Sequence, residues 1–284
     1  MSYENGGLFA MAVFVKKTFL VLFILVLVFC PSGAMAVEGK IATVVVTPPE
    51  VAVLVRFVGG PVVEVLSLFD WAEDGSLTKR LRSWPKDAYL IALTPGERGI
   101  PRGEKRVKYM YDFLPYDRDV FDKYFFDPAT ISFMSSRILV LLTEIEPSMY
   151  DYFQRRLAEF QSRLDSVIGV GREIMNGLFI LDLSGRMEFL LKASGAETLR
   201  PPVNCFDDWR RGEGIVELEK YIEYAKARGG LVVVDVWSPP LIRETLSNLS
   251  CAILLPTPKV DEMWTTYLHD IYLTLWNRFK AVYG

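Results

Sequence analysis

PSMYDYFQRRLAEFQSRLDSVIGVGREIMNG, residues 147–177, is the stretch on which the architecture turns. Phe153, Leu157, Phe160, Leu164, Val167, Gly171 and Ile174 recur at steps of four and three, so they share one helical stripe. Gln154, Arg155, Arg156, Glu159, Gln161, Arg163 and Asp165 make the opposite, solvated face. Pro147-Ser148 reads as a start signal and Asn176-Gly177 as a stop. From Ser148 to Met175 such a helix would measure about 42 Å at about 1.5 Å per residue. A helix of that length either packs on one sheet or spans two lobes. Its own pattern leaves both open.

The flanks of this helix favour two lobes. Before it, residues 41–47 (IATVVVT), 62–69 (VVEVLSLF) and 88–93 (AYLIAL) read as strands, and 106–113 as a weaker fourth. A helix is expected from Pro49 to Gly59-Gly60, a polar loop over 70–75, and a short helix over 76–83. Asp127-Pro128 is an N-cap followed by Pro at N1, opening a helix over 129–146 with Phe133, Met134, Ile138, Leu141, Leu142 and Ile145 inward. After the long helix the pattern restarts. Strands are expected at 178–183, 196–200, 231–237 and 251–255, and helices at 184–194, 214–228, 239–249 and 261–282. Continuous Val/Leu/Ile strands alternating with helices imply parallel sheets covered on both faces. The expected class is therefore α/β, with two lobes over 37–146 and 178–284, each a mostly parallel sheet flanked by helices, linked by one long backbone helix over 147–177. Ligands of such lobes bind at the carboxyl ends of the strands, in the cleft between them.

The N-terminus precedes the fold. Lys16-Lys17, the apolar run 18–30 and Ala34-Met35-Ala36 form a basic, hydrophobic and small-residue series expected of a signal peptide over 1–36. Export to the periplasm or extracellular face follows, with an uncleaved membrane anchor as the alternative. Of the three cysteines, Cys205 and Cys251 lie beyond that signal. A single bridge and two separate buried thiols are both compatible with export. The net charge of −3 and the lack of a basic stripe argue against a nucleic-acid partner. Gly169-Val170-Gly171 lies inside the helix and is no dinucleotide fingerprint. GxSxG, P-loop and HExxH patterns are absent, and the chain has one histidine, His269. An enzyme is not the expected class.

Three segments resemble the zinc/manganese-type solute-binding proteins of ABC importers: VVTPPEVAVLVRFVGGPVVEVLSL, YFFDPATISFMSSRILVLL and ARGGLVVVDVWSPPLIRETLSNLSCAILL. The resemblance implies a receptor working as a monomer with an ABC permease and holding a small solute between its lobes. It also implies a Zn or Mn site made by three histidines and a carboxylate. Those positions here carry Ser76, Lys123, Leu181 and Leu255-Pro256. The usual metal site is thus expected to be lost, and no resident cofactor is implied. A charged Lys123 about 4 Å from a divalent ion would cost about 8 kcal/mol at an effective dielectric near 20. That cost is comparable with a micromolar binding energy of about 8 kcal/mol. Carboxylates at Asp70, Glu73, Asp74 and Asp182 remain an alternative donor set. The candidate ligand-binding residues are Trp71, Asp74, Ser76, Lys123, Tyr124, Asp182 and Trp237, because aromatics with a cation suit an organic or anionic solute. An accessory protein that keeps this fold and binds a protein partner is the rival reading.

Overall fold

The computed structural model describes residues 42–97, 100, 106–114 and 117–284. The expected signal peptide over 1–36 lies outside them. The first lobe opens with β1 (Ala42–Val46), stopped by Thr47-Pro48. Pro49 then occupies the first turn of α1 (Pro49–Gly59), where a missing N–H costs nothing. Every residue of α1 except Arg56 is buried, so this helix runs through the interior rather than over a surface. Gly60, at φ +56°, reverses the chain into β2 (Val63–Ser67).

The expected loop over 70–75 and helix over 76–83 are instead an antiparallel hairpin, β3 (Phe69–Trp71) and β4 (Leu77–Lys79), pairing Asp70 with Thr78. Its turn is set by Gly75 at φ +80° and by the Asp74 carboxylate, which accepts the Ser76 N–H at 2.9 Å. The lobe's sheet adds β5 (Tyr89–Ala92) and β6 (Val107–Tyr109) in the order β2-β1-β5-β6, all parallel.

Next come α2 (Arg118–Phe121), a 3-10 turn over Asp122–Phe126, and α3 (Pro128–Ile145). The Asp127 cap is as expected: its carboxylate accepts the Ala129 N–H at 3.2 Å. Phe133 is not inward. It is 66 % exposed, because the buried stripe runs Ile131, Met134, Ser135, Ile138, Leu141 and Leu142, and Phe133 falls beside it on the outer face with Val140.

The long helix α4 spans Tyr150–Met175, about 39 Å at about 1.5 Å per residue. Pro147–Met149 forms a 3-10 turn, and the Ser148 hydroxyl donates to Glu146 instead of capping α4. The buried stripe is Phe153, Leu157, Phe160, Leu164, Ile168, Gly171 and Met175. Ile168 and Met175 replace the expected Val167 and Ile174, because a straight helix drifts by about 20° for each seven residues. α4 packs against α1 and α3 of the first lobe and against α9 (Trp264–Tyr283) of the second. The helix is tightly apposed to α9 at Gly171, where a Cβ would sit 2.4 Å from the ring of the fully buried Tyr272.

The second lobe contains β7 (Phe179–Asp182), α5 (Glu188–Ala193), β8 (Glu197–Leu199), α6 (Val203–Arg210), α7 (Ile215–Ala227), β9 (Leu231–Asp235), α8 (Pro240–Leu246) and β10 (Ala252–Leu255). Its sheet order is β10-β9-β7-β8, again all parallel. α5 starts later than the expected Ser184, because residues 184–187 form a turn tied to two buried carboxylates. α6 was not expected; Cys205, Phe206 and Trp209 form its buried face.

Side-chain alternation sorts the strands into two faces. Ile180, Val233, Ile253 and Leu255 join a core that is continuous with Val44, Ile91 and α4. Phe179, Leu181, Val232 and Val234 pack outward with Cys205, Phe206, Trp209 and Cys251. Both of these cysteines are buried and free. The described halves therefore share one core and form a single compact unit.

Candidate functional site

The turns at the carboxyl ends of both sheets meet between the lobes, and Asp235 organises the second lobe's share. It ends β9 and is fully buried. Its carboxylate accepts the backbone N–H groups of Gly185 at 2.8 Å, Arg186 at 2.8 Å and Trp237 at 3.0 Å, and the Ser238 hydroxyl at 3.0 Å. Burial raises its pKa, and the Gly185 and Arg186 N–H bonds oppose that rise. One carboxylate thus ties the turn after β7 to the turn after β9. The two turns are so close that a Cβ on Gly185 would lie 2.7 Å from the Trp237 backbone.

This scaffold aims Arg186 and Trp237 at the first lobe. The Arg186 guanidinium donates to Asp122 Oδ2 at 2.7 Å and to Glu50 Oε1 at 3.4 Å. Its Cζ lies 4.2 Å from the Trp237 ring centre, a cation–π stack. The Trp237 indole N–H donates to the Gly75 carbonyl at 2.9 Å, and its ring packs on Phe126. The Asp122 carboxylate also accepts Arg118 Nε at 2.6 Å. Arg118 in turn reaches Glu97 at 2.9 Å, and Glu97 accepts the Thr47 hydroxyl and the Leu93 N–H. Charges therefore alternate along Glu97–Arg118–Asp122–Arg186–Glu50, from the first lobe's pocket to the lobe interface.

Glu50 is the strained member. Burial, and then the neighbouring Asp122 carboxylate, raise its pKa to about 7. Its Oε2 has no hydrogen-bond partner. A carboxyl whose folded pKa exceeds its unfolded value of 4.5 binds more protons in the native state. Its contribution is complete below that unfolded value and is lost as pH rises toward 7. Glu50→Gln is therefore expected to flatten the decline in stability between pH 5 and 7 and to raise stability at pH 8 by on the order of 2 kcal/mol. Urea denaturation across that pH range checks this. An unchanged pH profile in the variant would remove Glu50 as its source.

The expected site residues are only partly assembled. Trp237 is central. Tyr124 stacks on Phe189 across the lobes at 4.9 Å. Lys123 is half-buried, 3.9 Å from Glu188, with its pKa lowered by burial and then by Arg200. The cation at the centre is Arg186, not Lys123. Asp182 is buried and turned toward Arg200, which donates to it at 2.7 Å, and toward Ser184. Asp74 and Ser76 are exposed on the hairpin turn, where hydrogen bonds from the Ser76 side chain and backbone lower the Asp74 pKa. Trp71 is buried at the end of β3. Sequence reasoning missed Glu50, Glu97, Arg118, Asp122 and Arg186. Glu50 carried one signal, as the lone charge in an apolar run from 41 to 55.

Beside the charged chain lies an open pocket of about 570 Å³. Thr47, Phe69, Leu77, Glu97, Arg118 and Asp122 line it. A second cavity of about 580 Å³ sits elsewhere, against β10 and α8 near Arg243 and Arg278.

No family model and no curated protein matches the chain. Among solved structures it is similar to ZnuA, with 14 % identity and a TM-score of 0.57 over 83 % of this chain and 98 % of that one. It is also similar to laminin-binding protein Lmb of Streptococcus agalactiae, a bifunctional protein with adhesin and metal transporting activity. There the identity is 12 % and the TM-score 0.59, over 84 % of this chain and 99 % of Lmb. A third likeness is to the solute-binding protein FpvC from Pseudomonas aeruginosa in complex with Mn²⁺, at 14 % identity and a TM-score of 0.53 over 85 % of this chain and 98 % of FpvC. The chain has the zinc/manganese solute-binding-protein fold.

At such identities the likeness shows the fold alone. The positions at which the resemblance implies metal ligands hold the following side chains. Ser76 is exposed, Leu181 is buried on the outer face of β7, and Leu255 is buried in the shared core. Among the described residues, no three His, Cys, Asp or Glu side chains are grouped to hold a metal ion.

Proposed function

We propose that the protein is an extracytoplasmic solute-binding component of an ABC transport system that does not hold a metal ion between its lobes. What supports this reading is the filling of the inter-lobe centre. Arg186 and Trp237 occupy it, held by Asp122, Glu50 and the Gly75 carbonyl. A cationic side chain there opposes entry of a divalent cation. The pocket beside it keeps a charged pair, Arg118 and Glu97, among apolar walls, which suits a small organic solute. The ABC permease would be the partner, with the export implied by residues 16–36. The second reading, an accessory protein that offers a closed receptor fold to a protein partner, is favoured by the same filled centre.

A thermal-shift screen tests both. Zn²⁺ and Mn²⁺ are expected to leave the melting temperature unchanged, and one class of small organic solutes to raise it by several degrees at saturation. A chelator-reversible rise at stoichiometric Zn²⁺ or Mn²⁺ would sink the metal-free reading. A flat response to every solute would move the assignment to the accessory role.

A further inference from the structure

Arg186 is the only side chain whose charged head touches charged groups from two separate elements of the opposite lobe within the described inter-lobe charge chain. One terminal nitrogen reaches Asp122, in the turn before α3. The other reaches Glu50, in the first turn of α1. The flat face stacks on Trp237. Behind the side chain, the Arg186 backbone N–H is fixed by the buried Asp235. The side chain is 17 % exposed, against 3 % and 9 % for its two carboxylate partners. Two carboxylates facing inward from one lobe attract a positive charge, and a planar guanidinium meets both along its edge while stacking through its face.

We infer that Arg186 is the resident cation of this cleft: its guanidinium takes the place of a free cation between the lobes, excludes one from outside, and holds the lobes closed without ligand. The inference does not depend on which solute or partner the protein serves. It makes Arg186 a specificity-determining residue as well as a clasp. An ordinary surface ion pair would do neither. It would bridge two exposed groups, and its loss would leave no vacancy lined by inward-facing carboxylates.

The arrangement explains two features together. Asp122 has both oxygens engaged by guanidinia, Arg118 on one and Arg186 on the other. Glu50 instead offers one oxygen at the longer distance of 3.4 Å and leaves the other without a partner. Asp122 is thus the principal counter-charge, and Glu50 is the wall of a seat cut to the size of one guanidinium. A lysine ammonium, a single point without a stacking face, cannot meet Asp122, Glu50 and the Trp237 ring at once.

Chemical rescue tests the inference. Arg186→Ala is expected to lower the melting temperature by about 10 °C, since it leaves the buried Glu50 without its paired cation and Asp122 with only one of its two. Methylguanidinium at millimolar concentration should restore part of that loss saturably. Sodium chloride at equal ionic strength should not, and neither should methylguanidinium added to the wild-type protein. Arg186→Lys should remain destabilised. A small melting shift for Arg186→Ala, or equal restoration by sodium chloride, would overturn the inference. If Arg186→Ala does not fold, Arg186→Gln keeps most of the side chain's volume and supports the same titration. Hydrogen exchange of the unmodified protein supplies an independent check. Peptides covering 49–58, 118–126 and 183–190 are expected to open together without added ligand. Separate opening of the two lobes' peptides would overturn the clasp.

Discussion

Asp235→Ala is expected to lower the melting temperature by about 10 °C. The substitution removes the acceptor of three backbone N–H groups, those of Gly185, Arg186 and Trp237. A buried donor left without a partner costs about 1–3 kcal/mol. Relief of the carboxylate's own desolvation returns part of this, which leaves a net loss of about 4 kcal/mol. For a chain of this size each kcal/mol moves the midpoint by about 2–4 °C. Differential scanning calorimetry reads the shift directly. Asp235→Asn keeps the shape but turns one acceptor into a donor, so it should fall between alanine and wild type. A variant melting within 2 °C of wild type would mean that these N–H groups find other partners, and that the two turns are not held by this residue.

Trp237→Ala should cost about 3 kcal/mol. The indole bonds the Gly75 carbonyl, stacks on Arg186 and packs on Phe126. Aromatic-to-alanine changes in cores cost about 3–5 kcal/mol, and the lower end applies because Trp237 is half-buried. Trp237→Phe isolates the cross-lobe hydrogen bond, which should account for about 1 kcal/mol of the total. Urea denaturation of both variants separates the two contributions. If the phenylalanine and alanine variants are equally destabilised, ring packing is not what Trp237 supplies, and the filled centre loses its aromatic wall.

Much of the fold was legible because its signals are local. Leu231–Asp235 reads as a buried strand from four apolar positions, three of them β-branched, followed by a carboxylate. Asp127-Pro128 and Pro48-Pro49 mark helix starts through backbone chemistry that needs no distant partner. The hairpin over 69–79 was not legible, because its turn is completed by a partner 162 residues away, the indole of Trp237 on the Gly75 carbonyl. The centre of the site failed for the same reason. Arg186 finds Glu50 and Asp122 across 136 and 64 residues. Nothing in the local sequence distinguishes it from the solvated Arg155 or Arg172. Lys123 was found through the family resemblance and Trp237 as an aromatic at a strand end facing the cleft, and both routes point to loops rather than to the side chain that fills the space between them. Leu181 shows the limit of counting along a strand: a shift by one residue exchanges the outer face for the inner.

The core that joins both sheets around α4 has a bearing on how the molecule comes apart. Val44 and Ile91 on one side and Val233 and Leu255 on the other belong to one apolar cluster, with Phe160 and Leu164 of the same helix between them. This cluster is much larger than the outer clusters confined to either lobe, so denaturant should meet a single cooperative unit rather than two foldons melting in turn. Damage at the Gly171–Tyr272 contact, deep in the second lobe's side of that helix, would then weaken the first lobe's sheet as much as its own.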